Sequence, residues 1–167
     1  IILTPAVTVL VGGLLAIFIA PPIGSFANEF GKLIMWATTQ HPFVMGIIVS
    51  VIVGILLTLP VSSAAICASI GLTGLAGGAA VAGCCAQMVG FACASFRENR
   101  VGGLVAQGLG TSMLQIGNIM KNPRIWIAPT LASAITGPIS TMVFKMEMNG
   151  PAISSGMGTC GMVGPIG

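Results

Sequence analysis

Charge is what this sequence lacks most. Only 5% of its 167 residues are Asp, Glu, Lys or Arg, against about 25% in an ordinary soluble domain, and a water-facing surface cannot be built from so few. Asp and Tyr are absent altogether, so neither a Ser-His-Asp triad nor a pair of Asp carboxylates can form within the chain. Glu29, Glu98, Glu147 and His41 are its whole stock of acid and imidazole groups. No Gly-x-x-x-x-Gly-Lys-Ser/Thr loop is present, which removes the usual nucleotide cradle. Nor is there a Cys-x-x-Cys pair or a Cys/His cluster. Cys67, Cys84, Cys85, Cys93 and Cys160 sit among Ala, Gly and Ser, where thiols act as small apolar fillers. Their odd number argues against a disulfide framework. No basic stretch precedes a short apolar core and cleavage site, so nothing reads as a signal peptide. The net charge of +3 from six basic residues is too sparse for a nucleic-acid patch. Metal, cofactor, nucleic acid and covalent catalysis are therefore not expected of this chain.

What is present is apolar length. Hydrophobic residues make up 55% of the sequence, no charged side chain precedes Glu29, and the long stretch between Lys32 and Arg97 carries none except titratable His41. At about 1.5 Å per helical residue that stretch reaches ~96 Å, enough for two or three crossings of a core about 30 Å thick. The composition predicts an all-α integral membrane protein: a polytopic helix bundle with broken or re-entrant helices and an amphipathic interfacial helix, with the lipid bilayer as its medium. The chain begins inside an apolar run without an initiator Met and closes on Gly164-Pro165-Ile166-Gly167. A single transmembrane domain, residues 1–167, cut from a longer protein is the expectation.

Proline and glycine punctuate this length. Residues 1–20 have membrane length and are expected to stop at Pro21-Pro22, which remove two backbone donors. Ile23, Phe26, Phe30, Leu33 and Ala37 then recur at helical spacing opposite Ser25, Asn28, Glu29 and Lys32, predicting a helix lying along the membrane surface. Residues 43–59 form a second crossing, introduced by His41-Pro42 and interrupted at Pro60. Residues 61–70, short and carrying Ser62, Ser63 and Ser69, predict a re-entrant or broken helix. Residues 72–94 form a third, central crossing with small residues at 74, 78, 82, 86, 90 and 94, a spacing that lets backbones approach. Residues 95–100 read as a polar loop. Gln107, Thr111, Gln115 and Asn118 follow on one stripe, at an interface or along a cavity, until Lys121-Asn122-Pro123-Arg124. Residues 125–144 have membrane length but contain Pro129 and Gly137-Pro138, predicting two half-helices. Basic residues at 32, at 97 and 100, and at 121 and 124 are expected on the cytoplasmic side.

Several polar groups are candidates for binding. Glu147 would cost roughly 2.5 to 3.5 kcal/mol at membrane depth and persists there where a cavity, ion or substrate uses it; otherwise it is an interfacial charge beside Lys145. His41, at the mouth of a crossing, is an interfacial group, a partner for a sugar hydroxyl or a proton carrier. Gln87, mid-helix, needs a helix partner or a ligand. The ten methionines are scattered and read as packing rather than a copper path. Two breaks resemble one another: Pro60-Val61-Ser62-Ser63 leads to Gly71, Gly74 and Gly77, and Pro151-Ala152-Ile153-Ser154-Ser155 leads to Gly158, Gly161 and Gly164. Paired interruptions of this kind are the best sequence pointer to a transporter's midplane site, which places Ser62 and Ser63 among the candidates.

Asn122-Pro123-Arg124-Ile125-Trp126-Ile127-Ala128-Pro129-Thr130-Leu131-Ala132-Ser133, then Thr136-Gly137-Pro138-Ile139 and Gly156-Met157-Gly158-Thr159-Cys160-Gly161, resemble the phosphotransferase-system EIIC-like membrane family, in the branch that includes proteins named as regulators of perfringolysin expression. The likeness extends through Leu59-Pro60-Val61-Ser62-Ser63-Ala64 to most of the chain. It implies a sugar permease subunit of a bacterial inner membrane, multi-pass and homodimeric, that binds and moves a small-molecule sugar while EIIA and EIIB partners carry the phosphoryl group. The Gly-Ile-Thr-Glu motif of the glucose-type branch is absent; Lys145-Met146-Glu147-Met148-Asn149 is a loose counterpart, which adds Asn149 to the candidates. The other classes are a non-transporting membrane regulator or sensor of the same family and an ion-coupled small-solute transporter.

Overall fold

Inside lipid, backbone N–H and C=O groups find no water, so a chain this apolar satisfies them within helices. The computed structural model describes residues 3–166, and between residues 3 and 30 the side chains of 7, 9–14, 17, 21, 22, 25 and 29. The described residues form seven α-helices: α1 (Leu3–Gln40), α2 (Pro42–Thr58), α3 (Ser63–Ser69), α4 (Gly74–Val105), α5 (Ile116–Lys121), α6 (Ile127–Pro138) and α7 (Val163–Ile166). Short 3-10 and π turns join several of them. Among the described residues the sole β pairing is an isolated bridge between Gly74 and Met148. Two helical stretches there, Gly74–Gly110 and Pro123–Phe144, are long and apolar enough to cross a bilayer, and α2 is a shorter apolar helix.

Two expected breaks are helical instead, and a third narrows to a single residue. Pro21 and Pro22 lie inside α1 and do not end it. Proline's fixed φ suits a helix, so the loss is confined to two donors and local crowding, and the Ser25 hydroxyl adds a bond to the Pro21 carbonyl at 3.0 Å. There is thus no separate surface helix. Of its expected faces, the side chains of Ile23, Phe26, Asn28 and Phe30 lie outside the described ones, whereas Leu33 is exposed and Lys32 pairs with Glu29 at 2.8 Å. The polar run 95–100 is helical up to Asn99, and at Arg100 (φ 53, ψ −145) the helix breaks; the second part of α4 folds back along the first, with Gly103 against Asn99 and Gly108 facing Ala92. Residues 123–144 form one continuous helical span. Pro129 is the third residue of α6, just past the change from the 3-10 turn Pro123–Trp126 to α geometry, and Pro138 is its last, followed by the π turn Ile139–Phe144.

The bundle centres on α2, α4 and α6, and small residues set their spacing. Gly46, Ser50 and Gly54 line α2, while Pro129, Ser133 and Gly137 line α6 and Thr141 the π turn after it, each row in steps of four. A Cβ on Gly137 would collide with the Gly46 carbonyl and the Ser50 side chain, and one on Gly83 would sit 2.6 Å from the Ser50 carbonyl carbon. Hydroxyls tie the close backbones together. Ser133 Oγ lies 3.0 Å from the Gly83 carbonyl it donates to, and Ser50 donates to the Ser133 carbonyl at 2.8 Å. On α4 the seam is only partly the four-residue row: Gly90 faces Pro129 and Gly78 faces Met146, but Gly83 and Gln87 meet α2.

These contacts fix direction. Ser50 meets Gly83 and Gly54 meets Gln87, whereas Gly46, Ser50 and Gly54 meet α6 and the π turn after it in falling order, at Thr141, Gly137 and Ser133. So α2 and α4 run parallel, with α6 antiparallel to both. Residues 59–73, including α3, carry the chain back between them. The expected grouping of Lys32 with Arg97 and Arg100 on one side therefore does not hold. Lys32 lies ~13 Å of helix from the His41 end, whereas Arg97 lies ~34 Å along α4 from that end. Arg97, Arg100, Lys121 and Arg124 gather at the far end; Lys145 lies at the His41 end.

Candidate functional site

The two serine-bearing breaks, far apart in sequence, dock on each other. Ser63, the first residue of α3, donates to the Gly156 carbonyl at 2.8 Å. Ser155, in the 3-10 turn Ala152–Gly156, donates to the Leu72 carbonyl at 2.7 Å. Each segment thus donates a buried hydroxyl to the other's backbone. Their turns share a second device. Gly71 and Gly74 adopt positive φ (63° and 61°), as do Gly158 and Gly161 (53° and 54°), and among the described residues no other glycine does. Left-handed backbone is open to glycine at little cost, so both segments reverse on two glycines three positions apart.

The stretch after α6 seals this junction. Lys145 turns the chain in left-handed conformation (φ 45, ψ 47), and Met148 exchanges two backbone hydrogen bonds with Gly74, at 3.0 and 2.9 Å. Gly78 faces the Met146 carbonyl so closely that a Cβ there would collide with it, and a Cβ on Gly77 would lie 2.8 Å from Met148 Cβ and 2.9 Å from Ser155 Oγ. Met148 is buried; Glu147 and Asn149 on either side of it are exposed. That alternation is the period of extended backbone.

The six candidates accordingly fall in three places. Glu147 and Asn149 flank the bridge to α4, beside the docked breaks. Ser62 caps α3, accepting from the Ala65 N–H at 3.2 Å, and Ser63 is committed to Gly156. His41 joins α1 to α2, exposed, its N–H bonded to the Ala37 carbonyl at 2.9 Å. Gln87 is fully buried between α2, α4 and α6; its Nε2 donates to Thr130 Oγ1 at 3.2 Å, and its Oε1 has no partner. The Gln107, Gln115 and Asn118 stripe lines a cavity at the opposite end of the bundle. Sequence reasoning misses Ser155 as a clamp and the Met148 bridge; the Ser154-Ser155 pair echoing Ser62-Ser63 is the available signal for the first.

The family model described as Phosphotransferase system, EIIC matches residues 1–167. The chain belongs to that family. As an EIIC protein it is a membrane component of a phosphotransferase sugar-transport system. No curated protein and no solved structure matches the chain. For an EIIC protein the arrangement has a chemical meaning: the hydroxyls inside the bundle bond mostly to backbone, while the groups beside the docked breaks at exposed positions are a carboxylate and an amide. Such groups bond hydroxyls and need no covalent step.

Proposed function

We propose that this chain is the sugar-binding and translocating core of an EIIC permease, a multi-pass subunit of a bacterial inner membrane that works as a homodimer with EIIA and EIIB partners. The observation that carries the reading is the reciprocal docking of the two glycine-interrupted segments through Ser63 and Ser155. Irregular backbone at membrane depth is stable only where protein or a watery cavity surrounds it, and transporters use such paired breaks as their binding site. In this reading Glu147 accepts hydrogen bonds from sugar hydroxyls and Asn149 both donates and accepts. Ser62, exposed at the start of α3, adds a hydroxyl. Ser63 and Ser155 position the two segments, Gln87 holds the helices apart at fixed spacing, and His41 stands at the same end of the bundle.

The test is transport by the full-length protein in liposomes with the phosphotransferase partners supplied, across a panel of labelled sugars. The reading expects uptake of at least one, lost in Glu147→Gln. No binding and no uptake of any sugar would overturn it in favour of a non-transporting regulator. Flux that depends on pH instead of on the partners would point to an ion-coupled transporter.

A further inference from the structure

At the end of the bundle away from Glu147, two adjoining cavities of about 520 and 470 Å³ share Gln115 and Asn118 in their walls. The larger is rimmed by Glu98, Lys121 and Arg124. The smaller reaches Gln107, on the π turn Ala106–Gly110. Gln107 is 4% exposed and Gln115 6%. Gln107 Oε1 is buried without any hydrogen-bond partner, whereas Asn118 Nδ2 donates to Gln115 Oε1 at 2.8 Å. A buried amide atom left alone costs about as much as a lost hydrogen bond, and single-turn π segments recur at functional sites. Among the described residues the one ion pair is Lys32 with Glu29, so the two cations on the rim are not neutralised by Glu98 across it.

We propose that this basin binds a polyol phosphate: hydroxyls on the amide floor of Gln107, Gln115 and Asn118, the phosphate at the rim with Lys121 and Arg124. A hydroxyl both donates and accepts, so it satisfies the Gln107 side chain whichever way the amide is turned. Cations on the rim above amides match a ligand carrying a phosphate and several hydroxyls better than either group alone, since a bare anion would leave Gln107 Oε1 unbonded. Two sources share that chemistry: a soluble sugar phosphate and the glycerophosphate headgroup of a lipid. The inference stands apart from the site around Glu147 and does not rest on it.

The test uses the full-length protein in phosphatidylcholine nanodiscs and calorimetric titration with a panel of hexose, pentose and hexitol phosphates, their parent sugars and inorganic phosphate, with a parallel arm in nanodiscs containing phosphatidylglycerol. Saturable binding of a sugar phosphate, at least tenfold tighter than its parent sugar and than inorganic phosphate, is expected if the source is soluble. Protection of the basin by phosphatidylglycerol, read as loss of that binding or as retained lipid in mass spectra, identifies a headgroup. In either case Gln107→Ala and Lys121→Gln should each weaken binding at least fivefold, and Lys32→Gln, a charge removed elsewhere, should change it less than twofold. Should Gln107→Ala fail to fold, Asn118→Ala, at an exposed position, replaces it. Binding of no polyol phosphate from either source overturns the proposal. So does inorganic phosphate binding as tightly as any ester with Gln107→Ala without effect, which would leave only a cationic patch.

Discussion

Ser63→Ala and Ser155→Ala interrogate the docked breaks directly. Both hydroxyls are buried, at 5% and 0% exposure, and donate at 2.8 and 2.7 Å to the carbonyls of Gly156 and Leu72. Truncating either leaves a buried acceptor without its donor, an effect of about 1–3 kcal/mol in water-soluble proteins, whereas interhelical hydrogen bonds in membranes average about 0.6 kcal/mol with a maximum near 1.7. The acceptors here belong to turns and not to helix interiors, so they lack an intrahelical bond to fall back on. A loss of about 1–1.5 kcal/mol for each single variant follows. Because both bonds join the same two segments, the double variant should fall short of additivity by at least ~0.5 kcal/mol. The assay is equilibrium unfolding in mixed detergent micelles, with Ser69→Ala as control: its hydroxyl bonds only the local Ile66 carbonyl at an exposed position, and it should stay within about 0.5 kcal/mol of wild type. Strictly additive losses, or single losses no larger than the control's, would refute the claim that the breaks dock as one unit.

Three other perturbations probe separate parts of the account. Gly83→Ala places a Cβ 2.6 Å from Ser50 backbone atoms and should destabilise the bundle by about 1–3 kcal/mol, seen as a lowered unfolding midpoint; an unchanged midpoint would contradict the α2–α4 seam. Lys145→Gly relieves left-handed backbone at φ 45 and should stabilise by about 1 kcal/mol, checked in the same titration. Glu147→Gln, at an exposed position, should leave the unfolding midpoint within about 0.5 kcal/mol of wild type yet lower sugar affinity at least tenfold in equilibrium binding.

Where side chains alone decide an element, the sequence is readable. Pro42 and Pro60 bracket α2, the short serine-bearing stretch after Pro60 becomes α3, and Asn122 ends α5 ahead of Pro123. Proline misleads wherever the helix can do without its donor: at Pro129 where a 3-10 turn gives way to α6, at Pro138 beside a π turn, and at Pro21-Pro22, where α1 runs on with two bonds fewer. Gly137 reads as a hinge in the sequence, but it is the point where α6 touches Gly46 and Ser50; a glycine in sequence does not distinguish flexibility from close approach. The parallel course of α2 and α4 is hidden because α3 is too short to look like a return path. The likeness between the two breaks is legible, but their docking joins distant parts of the chain and depends on tertiary contact. Gln107 is visible as part of a polar stripe, although nothing local marks its amide as unpaired.

The most direct test of the central claim is an experimental density map of the full-length protein in lipid with a transported sugar bound. The account predicts density for the sugar beside the junction of residues 60–74 with residues 147–161, within hydrogen-bonding reach of Glu147 and Asn149. A sugar seated elsewhere in the bundle, with those two side chains free and the two breaks apart, would contradict it.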